Sequence, residues 1–354
     1  MVVVTGVGGP VGQRVAARLA AAPDVKRVIG FDVVPTAVFP QPVETRVVDL
    51  AAPDAAVDME LAEALAGADG LINLAWLTGD ARRRPDTAGA NDRLTRRVVA
   101  AAALARPASV VHLSSATVYG AWPDNPIPLT EEATLRPNPA FGYAVEKADA
   151  ERLMAELAAS RPETAVAILR PAATVGSPER PLYRALTGTG VPRAADAARP
   201  VQFLHVDDLA DAVVLAWRRR LRGPFNVAPD AGIPDEEARD LAGGLARVAL
   251  PARMAGAVAG WGWQLARLGV PAAARPYALH PWAVAPDRLK AAGWEPRYSS
   301  AEALVATDDR PHWDDLPPGR RQNLTLGAVG AGVVAVGAAG VAGVLAARRR
   351  WGRG

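Results

Sequence analysis

The chain has 354 residues, of which 50% are hydrophobic and 22% are charged, a balance typical of a globular protein rather than a disordered one. The net charge of +3 is small for this length, and no basic stripe with interleaved aromatic residues is present, which argues against a nucleic-acid-binding protein. The absence of cysteine excludes disulfides, thiolate nucleophiles and cysteine-ligated zinc. Four widely spaced histidines show no metal-ligand spacing, so we expect no metal site.

Short β-branched runs alternate with longer helical stretches through the first half of the chain. The predicted strands occupy residues 2–6, 27–32, 45–50, 70–76, 109–115 and 165–172, and the predicted helices occupy residues 11–22, 59–66, 88–105 and 142–160. Alternation of this kind is typical of βαβ units. The sequence therefore predicts an α/β fold with a doubly wound parallel sheet. A further helix is predicted at 206–220 and a further strand at 223–228.

A glycine-rich loop follows the first predicted strand. The segment TGVGGPVG places Gly6, Gly9 and Gly12 between this strand and the first helix, where glycine permits a sharp turn and close approach of a pyrophosphate. The helix N-terminus adds unpaired N–H groups and a partial positive charge. Asp32 follows about 20 residues later, as an acid that accepts bonds from ribose hydroxyls and repels a 2′-phosphate. These features predict NAD as the cofactor in preference to NADP, and Arg14 keeps NADP open.

The segment GYAVEK sets Tyr143 four residues ahead of Lys147, so the two side chains share one face of the predicted helix. The alternative interpretation is a half-buried tyrosine beside a solvated lysine. Ser115 and Thr117 follow the strand 109–115, and the C-terminal ends of strands are where sites lie in such sheets. These hydroxyls, and that of Ser114, could instead cap the chain as it leaves the strand.

The spacing TGxxGxxG, followed by HLSSATVYG and GYAVEK in that order, resembles the extended short-chain dehydrogenases/reductases, the NAD-dependent epimerase/dehydratase group. The resemblance runs from residue 1 to about residue 305 and includes LINLAW, LRPAATVG and FLHVDDLADAV. It implies a Rossmann-type sheet with a smaller C-terminal substrate lobe. It also implies an enzyme that uses NAD.

The resemblance implies a mechanism that the residue chemistry supports. Tyr143 is expected to act as general acid/base on a substrate hydroxyl or carbonyl while hydride passes to or from the nicotinamide. A phenol has a pKa near 10 in water, and a nearby cation favours its phenolate form. Lys147 supplies that cation and is implied to hold the nicotinamide ribose, and Tyr143 is likewise expected among the residues that contact the cofactor. Ser115 is expected to bond the substrate oxygen, with Thr117 as a second donor.

The resemblance also assigns supporting positions. Asp49 is expected near the adenine, and Asn91 beside the lysine unless it simply begins a helix. Asp207 and Asp208 are interpreted as N-terminal helix residues stabilised by the helix dipole, and they and His205 are left out of the catalytic set.

The substrate is left between a nucleotide sugar and a hydroxysteroid or lipid-like alcohol. Ala173 stands where many nucleotide-sugar enzymes carry an asparagine. The basic cluster Arg82, Arg83 and Arg84 is interpreted as a solvated face, with phosphate contact as the alternative.

Two functions of different class remain, namely an oxidoreductase or epimerase and a non-catalytic NAD-binding scaffold tethered to a membrane complex. The presence of a serine, a tyrosine and a lysine at the expected positions favours the enzyme.

Five segments are expected along the chain: a dinucleotide-binding core (1–176), a mixed segment that completes the sheet and forms the substrate lobe (177–305), a linker (306–323), an uncharged segment (324–347) and a basic tail (348–354). As a helix the uncharged segment would reach roughly 36 Å against a hydrocarbon core of about 30 Å. It is therefore a candidate membrane helix, and its Ala- and Gly-rich composition makes a surface-lying segment the alternative.

The first residues lack the pattern of a signal peptide, so we expect a cytoplasmic catalytic domain. The expected partner is a small-molecule substrate and no nucleic acid, with membrane attachment and a homodimer left open.

Overall fold

Seven parallel strands form the main sheet of this computed structural model, which describes residues 1–34, 43–77, 89–176, 200–241 and 272–306. The described strands are β1 (Val2–Thr5), β2 (Val28–Asp32), β3 (Glu44–Val47), β4 (Gly70–Asn73), β5 (Ser109–Leu113), β6 (Ala165–Pro171), β7 (Ala173–Val175), β8 (Pro200–Val201), β9 (Phe203–His205), β10 (Gly223–Val227) and β11 (Ile233–Pro234). The order in the main sheet is β10-β6-β5-β4-β1-β2-β3, and every neighbouring pair is parallel. The predicted doubly wound sheet is confirmed.

Helices cover both faces of this sheet. The described helices are α1 (Pro10–Ala20), α2 (Ala55–Leu65), α3 (Ala90–Ala105), α4 (Gly142–Ser160), α5 (Val206–Arg218), α6 (Asp235–Leu241), α7 (Arg275–Leu279), α8 (Asp287–Ala291) and α9 (Ser300–Ala306). Successive residues of a strand point to opposite faces. Val2 and Val4 accordingly pack with α1 and α5, whereas Val3 packs with α2, α3 and α4.

The strand order reverses between β1 and β4. The chain passes from β1 outward to β2 and β3, and then returns to the other side of β1 to form β4. Ligands of open α/β sheets bind in the crevice at the C-terminal ends of strands where the order reverses. The fold therefore places a crevice directly beside the glycine-rich loop that follows β1.

The second half of the chain extends the same sheet and adds two small ones. β10 pairs with β6 at the edge of the main sheet, while β7 pairs with β9 and β8 with β11. His205 ends β9, and its Nδ1 accepts the Asp207 N–H at the start of α5. Residues 223–227 thus extend the main sheet.

Several predictions concern residues that the structure does not describe. These are the uncharged segment 324–347, the basic tail 348–354, nearly all of the linker 306–323 and the cluster Arg82, Arg83 and Arg84. Among the helices that are described, none combines the length and apolar character needed to cross a membrane. The membrane segment stays a prediction from the sequence.

Candidate active site

The glycine-rich loop turns sharply between β1 and α1. Gly6 has a φ of +72°, and a Cβ at this position would lie 2.7 Å from the Ala75 nitrogen. A Cβ on Gly12 would lie 2.0 Å from the Gly6 oxygen, whereas one on Gly9 would meet only that oxygen, at 3.4 Å. The first and third glycines are therefore required by backbone packing. The middle glycine leaves space in which a ligand can approach the backbone.

The start of α1 suits an anion. Gly9 is the N-cap and supplies no side-chain cap, and Pro10 occupies the first helical turn. The first N–H groups of a helix have no partner within the helix, and the helix dipole adds a partial positive charge there. No acidic residue lies in the first turn of α1. The loop and helix thus fit the pyrophosphate of a dinucleotide.

Two carboxylates lie at or just after the ends of the neighbouring strands β2 and β3, and the first of them contacts this loop. Asp32 Oδ2 accepts the Gly8 N–H at 2.8 Å, and its Oδ1 accepts the Val33 N–H at 2.8 Å. Asp49 follows β3, is exposed, and accepts the Ala51 N–H at 2.9 Å. Asp32 is therefore fixed between the phosphate loop and the end of β2, where a ribose is expected.

Arg14 does not turn toward this acid. Its Nε donates to Asp207 Oδ1 at 2.9 Å, and its Nη1 donates to the Pro10 carbonyl at 3.1 Å. Arg18 also bonds Asp207, at 3.1 Å. Arg14, the basic residue that left NADP possible as the cofactor, is thus bonded to α5. Asp207 in turn packs α5 against α1.

Ser115 and Thr117 form a pair at the end of β5. Ser115 Oγ accepts both the Thr117 N–H, at 3.2 Å, and the Thr117 hydroxyl, at 2.9 Å. Because Ser115 is the acceptor in both contacts, its own hydroxyl proton is the one it can donate. Thr117 is fully buried. The structure therefore places Thr117 beside Ser115, and its role as a second donor to the substrate oxygen stays a prediction.

Tyr143 and Lys147 share one face of α4. Lys147 is 3% exposed, its Nζ donates to the Leu113 carbonyl at 2.7 Å, and it lies 5.9 Å from the centroid of the Tyr143 ring. Leu113 is the last residue of β5, two positions before Ser115. The lysine therefore fastens the start of α4 to the strand end that presents the serine. The structure brings the three predicted catalytic residues to one end of the sheet.

Trp76, which follows β4, packs on the same pair. The Lys147 Nζ lies 3.6 Å from the centroid of the Trp76 ring, and the Trp76 and Tyr143 rings meet edge to face at 6.3 Å. Asn91 holds the adjacent backbone, because its side chain bonds both the N–H and the C=O of Leu77 and also donates to Glu146. The described bonds of Asn91 thus position the loop after β4.

A buried ion pair behind the site was missed in the sequence. Glu151 lies one turn beyond Lys147 on the same face of α4 and accepts bonds from Arg170 in β6, the shortest at 2.7 Å. Ser114 also donates to Glu151 and does not cap the end of the strand. A charged residue inside the apolar strand AVAILRPA requires a buried partner, and this signal could have revealed the pair.

Arg170 extends the network to a second tyrosine. Its Nη1 donates to the Tyr119 hydroxyl at 2.7 Å, and that hydroxyl donates to Asn226 Oδ1 at 2.8 Å. Burial raises the pKa of Tyr119 to about 12. Tyr119 therefore stays protonated and serves as a structural donor.

A row of polar side chains crosses the ends of three adjacent strands. The Thr5 hydroxyl donates to Asn73 Oδ1 at 2.7 Å, and Asn73 Nδ2 donates to His112 Nδ1 at 2.9 Å. The neutral ring consequently holds its proton on Nε2, which has no hydrogen-bond partner among the described residues. Burial, together with the positive charge of Lys147, holds the pKa of His112 well below its ordinary value of 6.5.

The lowered pKa of His112 predicts that the folded chain loses stability in acid. Below pH 6.5 the unfolded chain binds a proton at His112 that the folded chain does not bind. The free energy of unfolding should thus fall by about 1.4 kcal/mol per pH unit below that value. Urea unfolding between about pH 7 and about pH 5 measures the slope. His112→Asn keeps an acceptor for Asn73 without titrating, so it should reduce the slope, with a remainder from His205, whose pKa is also lowered by burial. An unchanged slope would contradict the assignment.

Comparison with known proteins identifies the family. The model of the NAD dependent epimerase/dehydratase family matches residues 2–228. The chain belongs to the NAD-dependent epimerase/dehydratase family. This membership confirms the predicted family, the predicted class of enzyme and NAD as the predicted cofactor.

Solved structures share the fold along most of the chain. MoeE5 in complex with UDP-glucuronic acid and NAD has a TM-score of 0.64 at 22% identity, over 86% of this chain and 97% of that chain. The UDP-glucose 4-epimerase of Thermus thermophilus in complex with NAD has a TM-score of 0.64 at 22% identity, over 87% and 98%. DesIV, a dTDP-glucose 4,6-dehydratase of Streptomyces venezuelae, has a TM-score of 0.61 at 20% identity, over 90% and 100%. At these identities the likeness shows the fold.

Relatives with greater identity match a shorter stretch. An uncharacterized protein of Mycobacterium bovis is 33% identical over 122 residues, which are 34% of this chain and 32% of that protein. An uncharacterized protein of Sinorhizobium fredii is 33% identical over 122 residues, which are 33% of this chain and 30% of that protein. The chain thus matches about a third of the length of these curated relatives.

Proposed function

We propose that this chain is an NAD-dependent oxidoreductase or epimerase that acts at a secondary alcohol or ketone. The observation that supports this most strongly is the placement of Tyr143 and Lys147 on one face of α4, with the Lys147 Nζ 2.7 Å from the Leu113 carbonyl. That bond joins the pair to the end of β5, which leads to Ser115. Bound NAD would supply the acceptor or donor of hydride.

Each of the three side chains has a distinct task in this proposal. Tyr143 takes a proton from, or gives one to, the substrate oxygen. The Lys147 ammonium stabilises the phenolate by its charge. Ser115 donates its hydroxyl proton to the same substrate oxygen. Thr117 donates its own hydroxyl proton to Ser115 Oγ at 2.9 Å and so holds Ser115 in place.

The residues around the phosphate loop would hold the cofactor. Gly6, Gly9 and Gly12 shape the loop, and the first N–H groups of α1 bind the pyrophosphate. Asp32 accepts bonds from the adenosine ribose, and Asp49 lies on the adenine side. A carboxylate at this position repels a 2′-phosphate, and Arg14 is bonded to Asp207, so NAD is preferred to NADP. Lys147 bonds the nicotinamide ribose.

A nucleotide sugar is the first substrate class to test. MoeE5 was solved with UDP-glucuronic acid and also with UDP-glucose, each with NAD. A hydroxysteroid or lipid-like alcohol is the second class, because Ala173, 5% exposed within β7, provides no amide at the position where nucleotide-sugar enzymes often carry asparagine. We assign residues 1–176 to cofactor binding and 177–305 to completing the sheet and the substrate side.

Turnover of a defined panel tests this function. The purified chain with NAD is incubated with UDP-glucose, UDP-galactose, dTDP-glucose and a 3-hydroxysteroid, and products are identified by NMR together with the absorbance of reduced nicotinamide. We expect product from one class and none without NAD. Tight NAD binding with no product from any member would favour the non-catalytic scaffold.

A further inference from the structure

The Trp76 indole lies directly on the charged end of Lys147. The distance of 3.6 Å from Nζ to the ring centroid is a close cation–π contact. Trp76 is partly exposed, whereas Lys147 is 3% exposed. The indole therefore covers one side of the buried ammonium.

The Leu113 carbonyl and the Trp76 indole, which both touch the ammonium, differ in how readily they can leave it. The Leu113 carbonyl, at 2.7 Å, belongs to the backbone of a central strand and is fixed by the sheet. The indole belongs to a side chain on the loop after β4. Asn91 holds the neighbouring Leu77 backbone with bonds of 2.9 Å and 3.0 Å, so rotation of the Trp76 side chain would move the indole without moving this backbone.

We propose that Trp76 determines cofactor affinity by competing with the nicotinamide ribose for the Lys147 ammonium. This inference rests on the proposed function, in which Lys147 bonds that ribose. A ribose hydroxyl must reach within hydrogen-bond distance of Nζ, and an indole in van der Waals contact with Nζ occupies that space. The cofactor therefore binds only the fraction of molecules in which the indole has withdrawn, and the apparent Kd rises as that fraction falls.

The competition predicts that removing the indole tightens cofactor binding. Cation–π contacts are strongest where the cation is desolvated, as Lys147 is here. Trp76→Ala is expected to lower the Kd for NAD by about tenfold, measured by isothermal titration calorimetry. Trp76→Phe, whose ring binds a cation more weakly, is expected to lower it by a smaller factor. This second variant also provides the test if Trp76→Ala does not fold.

Lys147 and a second tryptophan supply the controls. In a Lys147→Met background the indole has no ammonium to cover, so adding Trp76→Ala should no longer tighten binding. Trp122 is likewise partly buried and lies 5.9 Å from the Arg136 guanidinium, so Trp122→Ala should leave the Kd for NAD unchanged.

The outcomes separate this inference from the proposed function. If Trp76→Ala and Trp76→Phe bind NAD no more tightly than the unsubstituted chain, the competition is refuted, whether or not the panel yields product. The competition is also refuted if Trp76→Ala tightens NAD binding by the same factor in the Lys147→Met background, where the ammonium is absent. If the competition is observed but the panel yields no product, the inference stands and the catalytic proposal fails.

Discussion

Tyr143→Phe is expected to lower turnover by about 10²- to 10⁴-fold, the usual contribution of a positioned acid/base group. The change removes one hydroxyl and leaves the aromatic ring in contact with Phe141 and Trp76. The Kd for NAD should therefore stay within about twofold, because the lost interaction forms with the reacting oxygen rather than with the bound cofactor. Steady-state kinetics and calorimetry on the same preparation measure the two quantities.

The matched control is Tyr298→Phe. This substitution also removes one phenolic oxygen. The Tyr298 ring, however, stacks on His205 with 4.1 Å between the ring centroids, and its backbone N–H donates to Asp208 in α5. Its turnover should remain close to that of the unsubstituted chain. Equal turnover in Tyr143→Phe and in the control would show that Tyr143 is not the acid/base.

Glu151→Ala should lower the free energy of unfolding by about 3–5 kcal/mol, because it leaves a buried guanidinium without its carboxylate. Arg170 and Glu151 are 5% and 3% exposed. Removal of the acid also leaves the Ser114 hydroxyl without its acceptor. Urea unfolding monitored by circular dichroism measures the loss.

Two comparisons isolate the buried charge as the cause. Glu156 lies in the same helix and pairs with Arg152 at the surface, so Glu156→Ala should cost less than about 1 kcal/mol. The double variant Glu151→Leu with Arg170→Met removes both charges and should recover much of the loss. If the double variant is less stable than Glu151→Ala, packing rather than the unpaired charge explains the effect.

The parts of the fold encoded by local patterns could be predicted from the sequence. The strand VVVT is fully buried in the sheet, and its run of valines signalled a strand covered on both faces. The order of strands and helices then predicted the doubly wound sheet. Gly6 and Gly12 were identified because the strand-loop-helix context requires glycine at their positions.

The parts of the site that depend on pairing across the fold could not be predicted. Glu151 and Arg170 belong to a helix and a strand, and only the packed structure shows that they meet. The bond from the Thr117 hydroxyl to Ser115 depends on the turn after β5, whose geometry the sequence does not show. Trp76 follows β4 and Lys147 lies in α4, and only the packed structure shows that they meet.

Transfer of a deuterium label tests the central claim most directly. The panel member that is turned over is prepared with deuterium on the carbon that bears the reacting hydroxyl, and is mixed with the chain at stoichiometric NAD. If Tyr143 and Lys147 support hydride transfer, mass spectrometry will find the label on the nicotinamide in the unsubstituted chain and not in Tyr143→Phe. The account would be contradicted if product forms while the deuterium stays on its original carbon and no deuterium is found on the nicotinamide at any time.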